Sequence, residues 1–64
     1  MKIILPDKTI RHPEVTPMTV GALLQDLGIN PLEVLVSRNG TLVSEDALVE
    51  NADEIRIIRI AHGG

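Results

Sequence analysis

The residues of this chain best suited to chemistry sit together at its end. Ala61-His62-Gly63-Gly64 follows directly on Glu54-Ile55-Arg56-Ile57-Ile58-Arg59-Ile60, the strongest strand signal in the sequence. A terminal diglycine holds a free main-chain carboxylate on a thin stalk. Neither glycine has a Cβ, so the stalk can enter a channel too narrow for any other residue. The Gly64 carboxylate is therefore the expected reactive group, with Gly63 giving slenderness and reach.

The side chains offer little competition. There is no cysteine, which removes disulfides, thiolate metal sites and a cysteine nucleophile, although it does not fix the compartment. His12 and His62 are too far apart in sequence to suggest a metal site. His62 has a ring that titrates near neutrality, but no evident partner, and reads as a solvated tail residue. His12 reads as exposed on an edge strand. Glu45, Asp46, Asp53 and Glu54 are acidic, yet nothing places two carboxylates in a dry pocket, so a solvated surface is expected. The net charge is −3, and no basic cluster or stacking aromatics appear, which argues against nucleic acid. The run Met1-Lys2-Ile3-Ile4-Leu5-Pro6 is too short for a signal peptide or membrane span. A cytoplasmic protein with no membrane contact, monomeric when free, is expected.

The elements that must position the tail are legible in the patterning. Sixty-four residues make one small domain, read as 1–61, with 62–64 as a tail. The sequence is 44% hydrophobic but has no Phe, Tyr or Trp, so the core must be aliphatic. Lys2 to Leu5 reads as a strand, Pro6-Asp7-Lys8 as a turn, and Thr9 to His12 as a returning strand. Val20, Leu23, Leu24 and Leu27 fall at i, i+3, i+4 and i+7, one apolar stripe of a helix. Thr19 suits its N-cap, Met18 and Leu23 the hydrophobic staple, and Gly28 the left-handed position after its end, with Ile29 packing back on Leu24. Pro31 prevents resumption, and Gly21 lowers intrinsic helicity, so packing must hold the helix. Val34 to Arg38, Asn39-Gly40 and Thr41 to Val43 read as a hairpin on a turn whose two central residues tolerate positive φ. Ser44 to Glu50 reads as irregular, with Ala47-Leu48-Val49 as a small apolar anchor, and Asn51-Ala52-Asp53 as a turn. The last strand is the most apolar and is expected in the centre, parallel to the first and covered by the helix. The fold class is α+β: a β-grasp mixed sheet of four to five strands packed on one main helix.

With those elements in place the chain resembles the ThiS/MoaD-type sulfur carriers, a ubiquitin-like family. The resemblance rests on Thr19-Val20-x-x-Leu23-Leu24-x-x-Leu27, Val36-x-x-Asn39-Gly40-x-Leu42-Val43, Asp53-Glu54-Ile55 and Gly63-Gly64. Asn51-Ala52-Asp53 stands where that family has Asp-Gly-Asp. Ala52 is poorly suited to positive φ, so either the turn differs or Asn51 takes that role. The resemblance implies a carrier and not an enzyme. An E1-like adenylating enzyme would use ATP to convert the Gly64 carboxylate into an acyl-adenylate. Persulfide sulfur from a desulfurase or rhodanese-type donor would then displace AMP, giving a thiocarboxylate. It would deliver sulfide at a partner thiazole synthase or molybdopterin synthase large subunit, with thiamin thiazole the favoured acceptor and molybdopterin next. No stably bound cofactor and no metal are expected.

Ile55 and Ile57 are expected to face the helix. Ile4, Leu35, Arg56, Ile58 and Ile60 are the expected partner-docking residues on the open side of the sheet. Arg56 and Arg59 read equally as partners for carboxylates or as solubilising charges. Two other functions stay open. One is a ubiquitin-like modifier joined through Gly64 to target lysines, for which Lys2 and Lys8 are the acceptors available on this chain itself. The other is a plain binding module with an inert tail.

Overall fold

A computed structural model of the chain describes residues 1–60. Five strands form the main sheet: β1 (Lys2–Ile4), β2 (Ile10–Arg11), β4 (Val34–Arg38), β5 (Thr41–Val43) and β7 (Glu54–Arg59). Two shorter strands, β3 (Met18–Thr19) and β6 (Leu48–Val49), make a separate antiparallel ribbon. The one α-helix among the described residues, α1, spans Val20–Leu27, and a 3₁₀ turn covers Pro31–Glu33.

The main sheet runs β2-β1-β7-β4-β5. The last strand is therefore central, parallel to β1 and antiparallel to β4. This is the β-grasp arrangement expected from the order of elements. Its consequence is geometric: β7 is held on both sides before it leads into residues 61–64, which lie outside the described residues.

Local chemistry explains the helix. Thr19 Oγ1 accepts a hydrogen bond from the Ala22 N–H at 3.1 Å, satisfying an orphan donor of the first turn. At the other end Gly28 has φ 71°, where a side chain would be strained. The Gly28 N–H then donates to Gln25 O at 3.1 Å and the Ile29 N–H to Leu24 O at 2.9 Å. Eight residues make too short a helix to persist alone, so packing supplies the rest. Val20, Leu23 and Leu24 are buried against Ile3, Val34, Val36, Val49, Ile55 and Ile57, an entirely aliphatic core.

The turns follow their residue types. Asn39 (φ 52°) and Gly40 (φ 87°) close the β4–β5 hairpin with both central residues left-handed. Lys8 is left-handed too, at φ 70°, in a β1–β2 turn fixed by Asp7 Oδ1 accepting from the Thr9 N–H at 2.9 Å. The Thr9 side chain first, and its N–H second, hold the Asp7 carboxyl below the usual carboxylate range by hydrogen bonding. Of the two alternatives for the turn before β7, the structure takes the first: the turn differs, and neither Asn51 nor Ala52 has positive φ. The turn closes instead with the Asp53 N–H donating to Glu50 O at 3.0 Å, and Asn51 Oδ1 accepts from the Val15 N–H at 2.8 Å. No glycine is needed there. The segment Ser44 to Glu50, read as irregular, contributes β6, whose Val49 is buried opposite Met18.

Candidate functional site

Along β7, burial alternates. Ile55 and Ile57 are buried under α1, while Glu54, Arg56 and Ile58 are exposed on the opposite side. Strand pairing spreads that alternation across the sheet, because side chains at paired positions share a face. Ile4 lies beside Arg56 and Leu35 opposite Ile58. Ile60 follows Ile58 by two residues, its N–H donating to Glu33 O at 2.8 Å. The structure thus brings Ile4, Leu35, Arg56 and Ile58 together, with Ile60 at the end from which the chain continues. Ile58 is 43% and Leu35 46% exposed, too accessible for core residues and unusual for isoleucine and leucine at the middle of a sheet.

Two residues of this face escape a strand-by-strand reading of the sequence. Ile10 pairs with Ile4, and Leu42 pairs with Ser37, which itself lies opposite Arg56. One row, Ile10-Ile4-Arg56-Ser37-Leu42, therefore crosses all five strands. The signal that finds them is the register, and it appears only once β7 has been placed between β1 and β4.

The charged groups divide by face. Arg59 is on the helix side of the strand alternation, with Nη1 3.5 Å from Glu33 Oε2. That pair is largely exposed and contributes at most about 1 kcal/mol. Arg56 has no ion-pair partner among the described residues. Glu54 is 3.6 Å from Lys2 Nζ. A concavity of about 300 Å³ near the end of α1 is lined by Arg11 and Arg59 but also by Asp7 and Asp26, so its charges compensate one another.

At the far end of β7 the motif residues Asn39, Asp53 and Glu54 make one network. Asn39 Nδ2 donates to Asp53 Oδ1 at 2.9 Å, Asn39 Oδ1 accepts from the Glu54 N–H at 2.8 Å, and Asp53 Oδ2 accepts from the Glu50 N–H at 2.8 Å. The Asn39 amide, and next the Glu50 N–H, hold the Asp53 carboxyl below its ordinary range. These are structural contacts. Glu45 and Asp46 are exposed, as the sequence suggests. Among the described residues no polar or charged side chain is buried, and no three His, Cys, Asp or Glu side chains group as metal ligands. No helix there is long and apolar enough to cross a membrane. The site residues Gly63 and Gly64, with His62 and the proposed boundary between domain and tail, lie outside the described residues.

A central last strand parallel to the first, one helix across one side and an apolar open side define a ubiquitin-like β-grasp protein. The structure is similar to the NMR solution structure of a thiamine biosynthesis protein from Geobacter metallireducens, with a TM-score of 0.63 over 100% of this chain and 88% of that one. At 23% identity this likeness is one of fold. The chain belongs to the small archaeal modifier protein 2 family, whose sequence model matches residues 5–61. Comparison with curated proteins finds no match. The chain is thus a small ubiquitin-like protein of a modifier family.

Proposed function

We propose that this chain is a protein co-substrate and not an enzyme, acting through the Gly64 carboxylate in the cytoplasm. The observation that carries the reading is the course of β7. The strand is paired on both sides, carries an exposed apolar face, is anchored again at Ile60, and is followed in the sequence by Ala61-His62-Gly63-Gly64. That combination suits docking of the folded body on a partner while the tail enters the partner's active centre.

The chemistry asked of the partner is specific. A carboxylate is a poor electrophile until one oxygen becomes a good leaving group. An E1-like adenylating enzyme would let a Gly64 oxygen attack the α-phosphorus of ATP, releasing pyrophosphate and leaving an acyl-adenylate. A persulfide on a desulfurase or rhodanese-type donor attacks the acyl carbon and expels AMP. A thiol then takes the donor sulfur as a disulfide, freeing the Gly64 thiocarboxylate. ATP belongs to the partner's site, and this chain holds no cofactor of its own. Thiazole formation is the favoured use, in keeping with the thiamine biosynthesis protein of similar fold, and molybdopterin synthesis is next.

A second reading is favoured by the family match to a small archaeal modifier. Here a lysine Nζ of a target protein attacks the same activated carbonyl, expels AMP or an enzyme thiol, and leaves an isopeptide bond. Intact-mass measurement of the protein from its own cells separates the two. Replacement of one oxygen by sulfur supports the carrier, whereas diglycine remnants on lysines of digested cellular proteins support the modifier. A chain ending at Gly63 that still rescues cells lacking the protein would sink both.

A further inference from the structure

The open face is not uniform. Between the β1–β2 hairpin and the end of β7 it dips into a concavity of about 590 Å³ whose floor is built from Ile4, Ile10 and Ile58. Three cations line it, Lys8, Arg56 and Arg59, the last beside Glu33 at 3.5 Å, and among the described residues no carboxylate lines it. Neither Lys8 nor Arg56 has an ion-pair partner among the described residues. Glu54, the carboxylate sharing the open side of β7, is already beside Lys2 at 3.6 Å.

The position of Lys8 is fixed by its backbone. Its N–H donates to Leu5 O at 2.8 Å, and the turn is locked again by Asp7 Oδ1 on the Thr9 N–H. Arg56 projects from the most firmly paired strand of the sheet. Both charges are therefore presented from ordered backbone, and less entropy is lost when they find a counter-charge. Their sign also opposes that of the chain, whose net charge is −3. A local cationic rim on an acidic protein attracts an acidic partner by its near field while the remaining surface repels it, which favours one docking orientation.

We infer that this concavity is the specificity pocket of the docking face, and that it receives an apolar side chain flanked by carboxylates on the activating partner. The inference rests on the reading of Gly64 as an activated terminus for its partner, but not for its geometry. The apolar floor takes the side chain out of water, and Lys8 and Arg56 pair with the flanking acids. Leu35 and Leu42 lie outside the pocket and add apolar area without charge selection.

The test titrates the isotopically labelled full chain with three blocked hexapeptides and follows the isoleucine methyl signals by NMR. The peptides are Glu-Glu-Leu-Leu-Glu-Glu, its basic counterpart Lys-Lys-Leu-Leu-Lys-Lys, and Glu-Glu-Ser-Ser-Glu-Glu, which lacks the apolar centre. The first should shift Ile4, Ile10 and Ile58, and do so less as salt is raised. The other two should not, and the double variant Lys8→Glu/Arg56→Glu should lose the response while keeping its fold. With the adenylating enzyme from the same cells, the same variant should raise the KM for this protein about tenfold at unchanged kcat. Absence of shifts, equal response to acidic and basic peptides, shifts confined to other residues, or an unchanged KM would each overturn the pocket. Peptide binding does not use Gly64, so the two proposals fail separately. A wild-type chain that is never adenylated sinks the terminus reading and leaves the peptide result standing. Normal adenylation of the charge-reversed variant sinks the pocket alone.

Discussion

Asn39 and Asp53 are 14 residues apart, yet Asn39 Nδ2 donates to Asp53 Oδ1 at 2.9 Å. Because Asn39 Oδ1 also accepts from the Glu54 N–H, the tip of the β4–β5 hairpin is bolted to the start of β7. The residues that most resemble a family signature here act by fixing the register of the central strand. Asp53→Ala should lower stability by about 1 kcal/mol at neutral pH, the usual scale for an exposed hydrogen-bonded carboxylate. The folded state holds the Asp53 carboxyl below its unfolded range, through the Asn39 amide first and the Glu50 N–H second. Its contribution is therefore complete above the unfolded carboxylate range and is lost as pH falls through the folded value. Chemical denaturation of wild type and variant should show the gap narrowing on acidification. A gap independent of pH contradicts the assignment.

Two glycines should answer oppositely to alanine. Gly28 has φ 71° and open space around it, so Gly28→Ala meets only backbone strain and should cost about 1 kcal/mol. Gly21 lies inside α1, where an added Cβ would sit 3.6 Å from Glu45 atoms, an ordinary contact. Gly21→Ala should stabilise by about 0.5–1 kcal/mol. Thermal unfolding of both variants decides the signs.

The two sides of β7 should separate stability from docking. Ile55 is fully buried, and Ile55→Ala should cost about 2–5 kcal/mol, comparable to the whole stability of a core this small. That variant should be largely unfolded by circular dichroism at room temperature. Ile58→Ser removes an exposed side chain and should change stability by less than about 1 kcal/mol.

Function should respond in the reverse order. Leu35→Ala/Ile58→Ser should stay folded but lose about tenfold or more in kcat/KM for adenylation of Gly64, because both residues face the same open side. Pyrophosphate exchange with the adenylating enzyme measures this. A variant with unimpaired kinetics would show that docking uses another surface.

How far the sequence discloses this molecule can be traced residue by residue. The helix was legible because Thr19, the Val20-Leu23-Leu24-Leu27 stripe and Gly28 are local signals that agree with one another. Asn39-Gly40 announced its hairpin for the same reason. The β3–β6 ribbon was not legible, since two-residue strands have no period and Met18 meets Val49 only through the finished fold. Ile10 and Leu42 join the docking face through register, which is a long-range property. At Asn51-Ala52 the sequence left two turns open, and the backbone hydrogen bond from the Asp53 N–H to Glu50 O closes the one without a left-handed residue.

The pairing of β7 with β1 bears on how the molecule is made. Among the strands described, β7 comes last along the chain yet lies at the centre, so β1 and β4 are joined into one sheet only once it has been made. A chain cut short before β7 lacks Arg56 and Ile58, and with them the middle of the open face.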